Sequence, residues 1–134
     1  MRRTVLLLAA AGSILATTAL PAAAAPTPRA ATTAAAPQPF LTAVTDRGTA
    51  AAWSTFTLVG KLSPALAGER IAVQRKLGTG PWTSFAASTV TRADGTYVCP
   101  IASGRPGMNQ FRTVRFAVGG RPTVVSNVTG INIR

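Results

Sequence analysis

From residue 40 onward the chain repeats one pattern: a short run rich in Val, Ile, Thr and aromatic residues, closed by Gly, Pro or Asp. No apolar stripe holds helical spacing for three turns, and punctuated short runs of this kind specify β-strands. They place strands at 41–45, 53–60, 70–77, 82–85, 88–92, 96–102, 110–118 and 123–133. The turns fall at Asp46-Arg47-Gly48, Ser63-Pro64, Ala67-Gly68-Glu69, Gly78-Thr79-Gly80-Pro81, Asp94-Gly95, Gly104-Arg105-Pro106-Gly107 and Gly119-Gly120. Seven or eight antiparallel strands in the 95 residues of 40–134 predict a single all-β domain, a two-sheet sandwich.

Period-two alternation then selects a core: Trp53, Phe56, Leu58, Ile71, Val73, Trp82, Phe85, Val90, Tyr97, Val114, Phe116, Val118, Val128, Ile131 and Ile133. Tyr97, Cys99 and Ile101 share one parity, which turns Cys99 inward as a small apolar residue. Arg75 follows Ile71 and Val73 on the inward parity. Either its stem extends over Trp82 with the charge in water, or a bulge resets the parity. In QFRTVRFAV, inward Val114, Phe116 and Val118 leave Arg115 outward, and Phe111 then requires a bulge or a place at the sandwich edge.

The segment before residue 40 has a different character. A basic start (Arg2, Arg3), an apolar run over 5–15, Pro21 and a small-residue exit make residues 1–24 a secretory signal peptide. Cleavage is expected after Ala24 rather than Ala25, because Pro26 would otherwise sit just past the scissile bond. Gly12, Ser13 and two threonines interrupt the run and no basic cluster follows at once, which argues against a retained membrane anchor. No transmembrane segment is expected in the mature chain. Residues 25–39 are rich in Ala, Pro and Thr with almost no large apolar side chain, the composition of a disordered tether.

Charge and candidate chemistry narrow the function. Formal net charge is +11, and losing Arg2 and Arg3 with the leader leaves about +9. Such a surface attracts polyanions without selectivity. Arg75, Lys76, Arg92, Arg105, Arg112 and Arg115 are the candidate polyanion-binding residues, within a wider set that includes Arg70 and Arg121. Sequence-specific nucleic-acid recognition is not expected, since it requires aromatic platforms among the charges and the aromatics sit at core parity. There is no histidine, one cysteine, and three acidic residues, Asp46, Glu69 and Asp94, each beside a turn glycine. Asp94-Gly95 is a hairpin pair in which the carboxylate caps its own turn. No catalytic, cofactor-binding or metal-binding residue is assigned, and no cofactor is expected. Gly78-Thr79-Gly80 lacks the lysine and the helix-forming run of a phosphate loop.

The ordered set of Gly60, Gly68, the strand Ile71-Ala72-Val73-Gln74-Arg75, Gly80-Pro81-Trp82, Ala93-Asp94-Gly95-Thr96-Tyr97 and Phe111-Arg112 resembles immunoglobulin-like β-sandwich modules of exported actinobacterial proteins. It spans roughly residues 55–133. Phe111 stands where those modules carry a tyrosine, and Cys99 where they carry a larger apolar residue. The resemblance implies a non-catalytic spacer or accessory domain with no shared active site. Together these features predict a secreted, non-enzymatic sandwich with a structural or accessory role at the cell surface. The alternative is a cationic binder of cell-wall polymer or another extracellular polyanion. The partners to expect are a wall polymer or another surface protein. A secreted enzyme, the third class, would have to work through paired carboxylates.

Overall fold

The computed structural model describes Ala23 and residues 34–134. Apart from Ala23, the leader lies outside the described residues, as does the tether up to residue 33; residues 34–39 have no regular structure. Among the described residues the strands are β1 (Phe40–Leu41), β2 (Val44–Thr45), β3 (Thr49–Ala50), β4 (Thr55–Ser63), β5 (Arg70–Leu77), β6 (Thr83–Val90), β7 (Thr96–Ala102), β8 (Gly107–Arg115), β9 (Val124–Val125) and β10 (Thr129–Ile133). In one sheet β1 and β2 run along one edge of β4 and β7 along the other. The other sheet has the order β3-β10-β8-β5-β6, with β9 also on β8. All pairings between these strands are antiparallel except β3 on β10, and an isolated parallel bridge joins Leu41 to Ser126. This is an immunoglobulin-like sandwich, and β5 and β7 occupy the bounds expected for them.

The core lies between the sheets because each pleat buries one parity. Phe56, Leu58, Cys99 and Ile101 of the first sheet meet Val73, Phe111, Ile131 and Ile133 of the second. Phe111 is fully buried, edge-on to Phe56 at 5.6 Å and to Phe85 at 5.5 Å. It needs neither a bulge nor an edge position. Strand β8 instead uses the opposite parity from the expected one: Asn109, Phe111, Thr113 and Arg115 point inward, while Phe116 and Val118 lie beyond the strand's end, exposed. Val114 is also buried. Trp53, Val90 and Val128, expected in the core, are exposed as well.

The two expected strands at 82–85 and 88–92 are one strand, β6. Ala72 pairs with Ser88 and Gln74 with Ser84, so 85–87 form a bulge opposite Val73. That bulge carries Phe85 to the rim of the core. Thr89 Oγ1 donates to the Val98 carbonyl at 2.9 Å, tying β6 across to the other sheet. The Asp94-Gly95 turn is as expected: Asp94 Oδ1 accepts from the Thr96 amide at 3.0 Å, and Gly95 has a φ of +80°.

A second buried cluster, Leu41, Leu62, Ile71, Tyr97 and Val124, closes the Glu69 end. Its polar centre is the Tyr97 hydroxyl, bonded to the Thr42 carbonyl and 2.7 Å from Thr113 Oγ1. Burial pushes this phenol up to about 12, with the Thr113 hydrogen bond pulling the other way. A raised acid stabilises the fold fully below its unfolded pKa, near 10, and loses that contribution as pH climbs through the folded value. Unfolding free energy should therefore fall between about pH 10 and 12. Tyr97→Phe should flatten that fall and cost about 1–2 kcal/mol at neutral pH, read from urea denaturation across the pH series.

Cys99 is 2% exposed and burial raises its thiol pKa. Both effects suppress the thiolate that does the reacting. Thiol titration of the native protein should be slow and become fast in denaturant. A native thiol that reacts at once would contradict the inward placement.

Candidate functional site

At the end of the sandwich away from Glu69, a cleft of about 550 Å³ opens between the β3–β4 connection, the ends of β5 and β6, and the β7–β8 loop. Its walls include Trp53, Arg75, Phe85, Ser103 and Arg105. Asn109 builds the loop. Fully buried at the start of β8, it donates from Nδ2 to the carbonyls of Arg105 (2.8 Å) and Gly107 (2.9 Å). Its Oδ1 accepts from Ser103 Oγ at 3.0 Å. A buried carboxamide with both ends bonded fixes a loop that has no ladder of its own.

Trp53 is held differently. Its φ of 66° is unusual for a non-glycine residue, and its amide donates to the Ser103 carbonyl at 3.0 Å. The indole rests against the Cα of Gly104, where any Cβ would collide with the ring. The side chain nevertheless remains 77% exposed. Backbone and loop thus hold a large aromatic in water at the lip of the cleft.

Arg75 forms the inner wall. It keeps the inward parity read from the sequence, but its guanidinium lies 5.1 Å from the centroid of Phe85, and Nη1 donates to Ser103 Oγ at 3.3 Å. Its Nε is buried with no hydrogen-bond partner. The ring expected under it, Trp82, belongs instead to Arg112, 4.3 Å from that centroid on the outer face of β5 and β8. There Arg112 Nε donates to Gln74 Oε1 at 2.8 Å. The registers Gln74↔Arg112 and Lys76↔Gln110 make Lys76 a diagonal neighbour of Arg112 on that face.

The six candidate basic residues are therefore dispersed. Arg75 and Arg105 share the cleft, and Lys76 and Arg112 share the outer face. Arg92 lies on the β6–β7 turn, at the Glu69 end, the length of β5 away or roughly 20 Å. Arg115 points inward, 3% exposed, because Glu69 and the Pro122 carbonyl supply its partners inside. Missed in the sequence were Asn109, Ser103 and the role of Trp53. The signal that would have found Asn109 was its shared parity with Phe111.

The carboxylates are all engaged, each with its own partners. Hydrogen bonds from Arg47 and the Thr57 amide hold Asp46 below its ordinary pKa. The Thr96 hydroxyl and amide do the same for Asp94. Glu69 pairs with Arg115 and Arg121. Among the described residues no three His, Cys, Asp or Glu side chains gather as a metal site, and no helix is long and apolar enough to cross a membrane.

No family model matches the chain, and no curated protein matches it in sequence. Among solved structures it is similar to the D0-D1 domain of intimin, at 14% identity and a TM-score of 0.45, over 71% of this chain and 49% of that one. It thus spans about half the length of the intimin fragment.

Proposed function

We propose that this chain is a secreted, non-enzymatic sandwich with a structural or accessory role at the cell surface, related to exported modules of the actinobacterial kind. The observation that carries this reading is the employment of its three carboxylates: Asp46 holds Arg47 and the Thr57 amide of β4, Asp94 caps its turn, and Glu69 pairs with two arginines. General acid–base work needs a carboxyl free to exchange its proton with a substrate. With no histidine in the chain and the Cys99 thiol buried, little else can supply one. On this reading residues 1–24 direct export and 25–39 space the sandwich from whatever it serves. Fractionation of secreting cells with N-terminal sequencing tests it. The protein should be found in the medium or wall fraction, beginning at Ala25. Recovery from the cytoplasm with residues 1–24 still attached would defeat it.

Arg112 over Trp82, with Lys76 beside it, favours a second reading as a binder of wall polymer or another polyanion through the outer face. Retention on a heparin-like matrix near 0.15 M salt, lost in Lys76→Gln/Arg112→Gln, would support it, since screening there has shortened to about 8 Å.

A further inference from the structure

We propose that the end cleft is a binding site for a carboxylate-bearing sugar residue, a uronate unit of an acidic polysaccharide, held between Trp53 and Arg75. The cleft is a different surface from the outer face of the second reading but narrows the same polyanion class to a uronate, and its test does not depend on that face.

Arg75 is half-buried, and among the described residues no carboxylate pairs with it. One long hydrogen bond to Ser103 and the face of Phe85 are its compensation, and Nε has no partner. A desolvated cation so placed gains most from a counter-charge brought in by a ligand. Arg105 on the same cleft adds a second positive charge, and it too has no acidic partner among the described residues.

Trp53 supplies the complementary element. An indole face kept in water at the lip, by a backbone conformation that few non-glycine residues adopt, offers a flat apolar platform beside a cation. A pyranose ring has an apolar C–H face of matching shape, and a uronate carries its carboxylate on that ring. An inorganic phosphate chain, by contrast, has no ring with an apolar face to set against the exposed indole of Trp53. The cleft volume falls within the range of small-ligand sites.

The test is fluorescence polarisation of the purified protein at 0.15 M salt with a labelled tetragalacturonate, its fully methyl-esterified neutral counterpart, and a short polyphosphate of equal charge. The uronate should bind, and the ester at least about tenfold more weakly, as expected for loss of a charge-assisted contact. Trp53→Ala and Arg75→Met should each weaken uronate binding by about tenfold or more. Arg92→Gln, with the same change in net charge as Arg75→Met, should leave it within about twofold. Trp53 is largely exposed, so its variant keeps the question open to test if Arg75→Met fails to fold. The proposal is overturned if the uronate does not bind, if Arg92→Gln and Arg75→Met weaken it equally, or if polyphosphate binds as tightly through the same two residues.

Discussion

Gly60→Ala should destabilise the domain by about 3 kcal/mol or more, although alanine is a milder residue than most to place in a strand. Gly60 sits in β4 opposite Tyr97, where the β1–β2 connection crosses over it. A Cβ there would lie inside the contact shell of both the Thr42 carbonyl oxygen and the Tyr97 hydroxyl. Those two atoms are hydrogen-bonded to each other, and Thr42 is also stitched to Lys61: its amide donates to the Lys61 carbonyl at 3.0 Å and its hydroxyl accepts from the Lys61 amide at 3.0 Å. The methyl group must push Thr42 away and break several of these bonds, each worth roughly 1 kcal/mol, on top of an overpacking cost of about 1–3 kcal/mol. Gly48→Ala is the control, since a Cβ there meets nothing within 4 Å. It should stay within about 0.5 kcal/mol of the parent in urea denaturation. If the two variants unfold at the same midpoint, the close crossing over Gly60 is wrong.

The strands that were legible were those whose burial follows hydrophobicity. In β5, Ile71 and Val73 alternate with Ala72 and Gln74, and in β7 Tyr97, Cys99 and Ile101 alternate with Val98 and Pro100. Strand β8 broke the rule because it buries polar residues whose hydrogen-bond and charge partners lie outside the strand. Thr113 meets Tyr97, Asn109 meets Ser103, and Arg115 meets Glu69. Alternation weighs only the apolar residues, so Val114, Phe116 and Val118 outvoted Phe111, and the strand was placed three residues late. The candidate site suffered from the same blindness. Arg75 and Arg105 were singled out for charge, but their meeting in one cleft depends on the β7–β8 loop folding back over the end of β5. Trp53 was assigned to the core by alternation along an expected strand at 53–60; β4 begins only at Thr55, and Trp53, at a φ of 66° on the connection before it, sets its ring on Gly104 at the surface.

The misplaced arginine leads to the second large effect: Glu69→Ala should cost about 3–5 kcal/mol, while Arg121→Ala should cost about 1 kcal/mol or less. Both residues belong to one network, and burial separates them. The Arg115 side chain is 4% exposed and that of Glu69 12%, whereas Arg121 is 43% exposed. Arg115 Nη1 lies 3.5 Å from Glu69 Oε2, Nη2 donates to the Pro122 carbonyl at 2.6 Å, and Nε is buried without a partner. Removing Glu69 leaves a guanidinium inside the protein with one carbonyl to satisfy it, and no other described carboxylate lies within ion-pairing distance. Removing Arg121 instead gives up an ion pair that water already screens on one side. The charge argument has a sharper consequence in the double variant. Arg115→Leu takes away the group that Glu69 compensates, so Glu69→Ala in an Arg115→Leu background should cost much less than it does alone, a coupling of about 2 kcal/mol or more. Urea denaturation of the four proteins of this cycle measures that coupling. Additive losses would mean that Arg115 reaches water in solution, and that Glu69 acts at the surface as an ordinary partner of Arg121.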